Sequence, residues 1–138
     1  MNTNIEKKHM SRRAELEELY AQKERIEQRI NELHNSEIKL HEISQLASNW
    51  FDIPYSLLVS DDRHEKVVYV RTICAHEMRK RGYTLKEIGD ELNRDHSTIV
   101  HSVTEYKLRY NRPGFDKFTD MAEEFSRILE NYEKTLNI

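Results

Sequence analysis

Apolar positions fall along this chain in several distinct stripes, and each stripe predicts an element. From about residue 5 to 35 there is neither Gly nor Pro, and Leu16, Leu19, Lys23, Ile26, Ile30, Leu33, Glu37 and Leu40 follow a 3-4-3-4 spacing. Six of the eight are apolar, a narrow stripe of the coiled-coil kind broken by Lys23 and Glu37. Two readings fit it. The helix of residues 1–35 pairs with a second chain, or it packs on a C-terminal helix of its own. That second helix is predicted at about Asp116–Leu136, within residues 112–138, with Phe118, Met121, Phe125, Ile128 and Tyr132 on one side.

The middle, residues 36–111, reads as a folded all-α domain. Ile43, Leu46, Ala47, Trp50 and Phe51 make a wide helical face. Pro54 suits the start of a short helix whose apolar side is Tyr55, Leu57 and Leu58. A helix from about His64 to Lys80 turns Val67, Val70, Ile73, Cys74 and Met78 inward, and Gly82 is set to end it in the left-handed conformation. Thr84 and Glu87 form a capping-box pattern ahead of Leu85, Ile88 and Leu92, with Gly89 allowing a close approach. That helix stops near Asn93. Asp95 is an N-cap for the next, whose core stripe is Ile99, Val103, Tyr106 and Tyr110. A short helix, a tight turn and a second helix make a helix-turn-helix.

Composition supports the helical reading. Three glycines and two prolines in 138 residues are too few for many strands and tight turns. The one cysteine, Cys74, excludes a disulfide framework and fits a reducing compartment. Mean hydropathy is −0.88, no apolar run reaches membrane-spanning length, and the first twenty residues lack the apolar centre of a signal peptide. The expectation is a cytoplasmic protein with no membrane partner. The net charge of −3 conceals a gradient: residues 63–112 carry 11 Lys/Arg against 7 Asp/Glu, a net +4, while the segments on either side carry −4 and −3. A local field decides the binding of an anion more than the total does.

The chemistry concentrates in "NRDHSTIVHS", Asn93 to Ser102. If Ile99 and Val103 face the core, Thr98, His101, Ser102 and Glu105 point away from it, with His96 and Ser97 in the first turn. A helix N-terminus attracts phosphate through its unpaired N–H groups and dipole. In a helix-turn-helix, these leading residues meet base edges in the major groove. Hydroxyls and an imidazole donate or accept there, and a threonine methyl packs on a thymine methyl. Asp95 accepts from a cytosine amino group or caps the helix, and Arg94 and Arg71 suit phosphate or guanine. A well-capped, solvated first turn produces the same pattern.

"TLKEIGDELNRDHSTIVHSV" resembles the C-terminal DNA-binding domain of the bacterial replication initiator DnaA. Leu85, Ile88, Gly89, Arg94, Asp95, His96, Ser97, Thr98, Ile99 and His101 match that family's pattern. "VRTIC" and "NWFDIPYSLLVS" extend the likeness over about residues 42–110. The resemblance implies a Trp-repressor-like helix-turn-helix fold that binds a short, asymmetric duplex box. It implies that Asp95, His96, Ser97 and Thr98 read the major groove, and that Arg71, Arg94 and His101 contact the backbone or neighbouring bases. It also implies that a basic loop ahead of the Arg71 helix enters the minor groove. This chain departs from the pattern in its turn, one residue shorter, and in that loop. Asp61 and Asp62 stand where the family favours arginines, leaving Arg63 and Lys66 as the basic residues. No Gly-x-x-x-x-Gly-Lys-(Ser/Thr) phosphate loop occurs, so DNA recognition is expected without a nucleotide-driven motor.

Other chemistry is weakly represented. His34 and His41 are seven apart, and His96 and His101 five apart. Neither is the i, i+4 spacing of a metal pair, no cysteine pair exists, and no metal or other cofactor is expected. His64 and His76 read as surface or helix-flank residues. "RKRG", Arg79 to Gly82, is either a phosphate cluster or a solvated helix end. Asp95, His96 and Ser97 are sequence neighbours and diverge on a helix, so they make no catalytic relay and no enzyme is expected. The leading expectation is a homodimeric, sequence-specific double-stranded DNA-binding protein that regulates replication or transcription, on a mobile element or phage. The alternative is a non-enzymatic protein–protein adaptor that oligomerises through its acidic helices.

Overall fold

In the computed structural model, residues 11–35 and 38–136 are described, and all regular structure among them is helical. They divide into two compact units, one containing residues 11–35 and the other 38–136. None of the described helices is long and apolar enough to cross a membrane.

The first unit is one helix, α1 (Arg12–Asn35). Ser11 Oγ accepts from the Ala14 N–H at 3.2 Å, and Glu15 sits in the first turn, where negative charge is favoured. Arg13–Glu17, Lys23–Glu27 and Arg29–Glu32 pairs line its surface and each contributes little. The expected stripe is present at Leu16, Leu19, Lys23, Ile26, Ile30 and Leu33. Residues 5–10 of the expected helix and Glu37 of the expected stripe lie outside the described residues, and Leu40 opens a helix of the second unit and packs on that unit's core.

The second unit comprises α2 (Leu40–Trp50), α3 (Tyr55–Leu58), α4 (Glu65–Lys80), α5 (Leu85–Leu92), α6 (His96–Arg109) and α7 (Asp116–Leu136). Helix α4 is the hub and packs on each of the other five. Val67, Val70, Ile73, Cys74 and Met78 are all buried on it, as the pattern predicted. Burial pushes the Cys74 thiol well above its ordinary range, so it stays protonated and inert.

Three expectations change in detail. Trp50 is 51% exposed, and α2 buries Ile43, Ser44, Ala47 and Ser48 instead, with Phe51 inward just past its end. The small side chains let α2 lie close to its neighbours, and the indole takes the solvent edge. In α7 the buried stripe is Phe118, Ala122, Phe125 and Leu129, while Met121 and Ile128 flank it. Both spacings share Phe118 and Phe125, and Ala122 leaves room that a larger residue would fill. Tyr110 is half-exposed, stacks on Tyr106 and donates to Glu123 at 3.0 Å.

"RKRG" is a structural joint. Arg81 folds inward between Glu77, itself 1% exposed, and Glu133 on α7, at 2.5 and 2.6 Å. Arg79 donates to the Tyr83 carbonyl at 2.9 Å. Gly82 follows at φ +89°, the left-handed stop that the sequence predicted.

The short turn between α5 and α6 depends on Gly89. A Cβ there would stand 2.5 Å from the Arg94 carbonyl oxygen, whereas one on Gly82 meets nothing within 4 Å. Gly89→Ala should therefore cost about 1–3 kcal/mol by overpacking a backbone contact. Gly82→Ala should cost about 1–2 kcal/mol through its left-handed φ alone. Urea midpoints measure both. Only Gly89→Ala should also shift the backbone resonances of residues 93–99.

Candidate nucleic-acid interface

The site is built from a capped turn. Thr84 Oγ1 accepts from the Glu87 N–H at 3.1 Å and the Glu87 carboxylate accepts from the Thr84 N–H at 2.9 Å, so α5 starts with the predicted capping box. Asn93 ends it in the left-handed conformation, φ 55° and ψ 49°, which asparagine tolerates. The Arg94 N–H then bonds the Gly89 carbonyl at 2.8 Å, and the chain turns within three residues. Asp95 Oδ1 accepts from the Thr98 N–H at 2.8 Å and from Ser97 Oγ at 3.0 Å, capping α6. The bonds from Thr98, then that from Ser97, hold the Asp95 carboxyl below the usual aspartate range.

Burial of Ile99 and Tyr106, with Val103 partly covered, fixes how α6 is turned. His96, Ser97, Val100, His101 and Thr104 face outward. Thr98, Ser102 and Glu105 are half-buried and face a cleft between α6 and the segment before α4. The sequence argument had grouped Thr98, His101, Ser102 and Glu105 on one outward side. It omitted Val100, which is 43% exposed and whose methyls lie among the polar groups. The signal was available, because residue 100 falls about a quarter turn away from the 99–103–106 stripe.

The cleft encloses about 470 Å³ and is lined by Arg63, Arg71, Arg94 and Arg109 together with Thr98, His101 and Ser102. Its acids are Asp61 and Glu105. Glu105 pairs with Arg109 at 3.1 Å and lies 3.8 Å from His101 Nε2. The Arg109 guanidinium lies over the rings of Tyr69 and Phe115, at 5.5 and 5.9 Å from their centroids. Four guanidiniums against two carboxylates leave the cleft positive.

Arg71 is only 7% exposed. Its guanidinium donates to the carbonyls of Leu58 (2.9 Å), Ser60 (2.9 Å), Asp62 (3.0 Å) and Leu57 (3.4 Å). Arg94 Nη2 donates to the same Ser60 carbonyl, and Asn93 Nδ2 to that of Val59 at 3.3 Å. Residues 57–62 are thus tied by their carbonyls to α4 on one side and to the turn before α6 on the other. Burial, then the adjacent Arg94 charge, lowers the Arg71 pKa, although an arginine so placed remains charged. Asp62 accepts from the His64 backbone N–H and ring Nδ1, both at 2.9 Å. These bonds hold its carboxyl low. Arg63 and Lys66 are exposed; Arg63 lines the cleft and Lys66 does not. No three His, Cys, Asp or Glu side chains among the described residues gather as a metal site would require.

The family model for the bacterial DnaA protein helix-turn-helix matches residues 40–105. That span runs from the first residue of α2 into the third turn of α6 and contains the turn, the cap and the loop 57–62. No curated protein and no solved structure matches the chain.

Two outcomes test this geometry. Removing the Arg71 donors leaves the carbonyls of Leu58 and Asp62 without their protein partner, whereas Leu57 keeps the Ser60 N–H and hydroxyl and Ser60 keeps Arg94, so Arg71→Ala should cost on the order of 2–3 kcal/mol. Hydrogen exchange should accelerate across residues 57–64 before it does in α4. Asp95 has a folded pKa below its unfolded one, so its contribution is complete above the ordinary aspartate value of about 3.9 and is lost as pH falls through the folded value. Carboxyl titration by NMR should show Asp95 protonating below that value as the Thr98 amide loses protection. In Asp95→Asn, which keeps an acceptor, that loss should disappear while the Asp62 titration persists.

Proposed function

We propose, from the premise that residues 40–105 form a helix-turn-helix of the bacterial DnaA type, that this protein recognises a specific sequence in double-stranded DNA. The fold is a DNA-binding one; its use for sequence reading is our inference. One observation carries it: α6 opens toward solvent with His96, Ser97, Val100 and His101, beside a cleft rich in arginine. The leading end of α6 is free to enter a major groove.

Each group has a role that its geometry supports. The Ser97 hydroxyl hydrogen is directed at Asp95, so Ser97 Oγ presents lone pairs to an exocyclic amino group of adenine or cytosine. Val100 and the Thr98 methyl suit a thymine methyl. His96 and His101 each offer a donor to a base or a phosphate. Asp95 acts first as the cap that fixes this helix end, and its remaining oxygen is available to a cytosine amino group. Arg94 contacts phosphate from the rim of the cleft, and Arg63 and Lys66 add contacts from the start of α4. Arg71 acts through the loop that it holds. The protein functions as a homodimer through α1, and it regulates replication or transcription at its boxes without a nucleotide motor of its own.

Selection from random duplexes, followed by titration of the selected box and a scrambled duplex, tests the reading. Thr98→Ala and His96→Ala should each lower affinity for the selected box by about 1–3 kcal/mol and leave scrambled duplex nearly unchanged. Arg63→Ala should weaken both alike and flatten the dependence of log K on log salt by about one unit. Equal losses on both duplexes for Thr98→Ala, or no duplex binding at low salt, would refute sequence reading.

A further inference from the structure

We infer that the exposed stripe of α1 is the seam of an antiparallel two-stranded coil formed with a second copy of this chain. The inference rests on the homodimer reading above and gives it an orientation and a register. Leu16, Leu19, Ile26, Ile30 and Leu33 are each 45–61% exposed, an apolar row on a helix that is otherwise charged. A row of this length needs a partner of matching pattern. The chain's other long amphipathic helix does not offer one. In α7, Phe118, Ala122, Phe125 and Leu129 are all 0% exposed within the core of their own unit. A second α1 offers the same stripe over the same length.

The charge in the seam selects the orientation. Parallel, in-register pairing sets every seam residue beside its own copy. Lys23 would then meet Lys23 of the second copy in the middle of the seam, where like charges are destabilising. Antiparallel pairing with Leu16 facing Leu33 of the second copy also sets Leu19 against Ile30 and Lys23 against Ile26. All six seam positions are matched and no like charges face each other. The Lys23 stem covers Ile26, and its ammonium stays at the rim, where Glu27 of its own helix already lies 3.8 Å away. Tyr20, 65% exposed at the seam's edge, falls beside Glu27 of the second copy, with a carboxylate in reach of its hydroxyl.

This register has a consequence for recognition. The twofold axis crosses α1 between residues 24 and 25. The two Asn35 ends are then 21 residue rises apart, about 31 Å along the coil. Half-sites one turn apart on DNA are separated by about 34–36 Å. An antiparallel coil therefore sets the two points from which the second units depart at a separation of the same order.

Disulfide trapping in the full chain tests the orientation without DNA. Cys74 is 0% exposed and does not interfere. Leu19→Cys and Ile30→Cys, carried on chains of different tag length, should cross-link to each other under mild oxidation and not to themselves. In the antiparallel register, two copies of residue 19 lie about 16 Å apart along the axis. Self-cross-linking of each variant, with no preference for the mixed species, would establish the parallel coil and overturn the proposal. So would a monomer by sedimentation at 100-fold the concentration used for duplex titration. Nitroxides on Ala14→Cys, outside the seam, give a second reading: about 40 Å between labels if antiparallel and about 20 Å if parallel. A trapped antiparallel dimer that binds no duplex would refute the DNA reading alone. Selective duplex binding by a monomer would refute the coil alone.

Discussion

The candidate interface depends on one buried guanidinium. Arg71 sits on the central helix of its unit, almost out of solvent, with no carboxylate bonded to it. A charge in that position is tolerable only because carbonyl dipoles converge on it. Four of them do, all from residues 57–62. Without Arg71 the carbonyls of Leu58 and Asp62 lose their donor, and without the loop the charge has nothing to replace water. Each stabilises the other. Arg94 shares one of the carbonyls and Asn93 takes another, so the same loop also fixes the turn from which α6 departs. The direction of the outward side chains on α6 follows from this joint, from the Asp95 cap and from the close approach at Gly89.

The same arrangement explains how a chain of net charge −3 presents a positive cleft. Two acids in its basic middle are already engaged, Glu77 enclosed with Arg81 and Glu105 paired with Arg109, and Asp62, just ahead of that segment, is turned toward its neighbour His64. Asp61 stays exposed at the cleft's rim. A sequence count treats all seven carboxylates and eleven cations of this segment as equal. Burial and pairing make them unequal, so the count alone does not give the charge that reaches solvent near α6.

Much of this was legible in the sequence, and the reason is local chemistry. Caps are short-range devices, so Thr84 with Glu87, Gly82 and Asp95 announced their elements directly. The helix-turn-helix was legible because its stripes, 85–88–92 and 99–103–106, are separated by a turn too short for anything else. What stayed hidden depends on distant parts of the chain meeting. Arg71 reads as a free cation until the loop thirteen residues before it folds back. Arg81 reads as a surface charge until Glu133, fifty-two residues away, covers it. Trp50 was assigned to the core because large aromatics usually are, but the small Ser44, Ala47 and Ser48 face let the helices close without it. Val100 is apolar and so does not stand out in a stretch of polar residues, yet the turn of the helix exposes it.

The commitment of Arg71 and Arg109 within the protein bears on the role proposed for α1. Both guanidiniums line the cleft, yet one is engaged by carbonyls and the other by a carboxylate and two rings. The cations left to release counterions from a duplex are few: Arg63, Lys66, Arg94 and Lys107, with the N–H groups that open α6. The salt dependence of binding scales with the number of phosphates neutralised, so a set this small gives low affinity with a shallow dependence on salt. On the proposed reading, a single copy would hold duplex weakly, because few of its cations are uncommitted. Joining two copies makes the second encounter intramolecular and raises its effective concentration, provided that the spacing permits both to engage. A long helix with an exposed apolar row is, among the described residues, suited to supply the linkage proposed above.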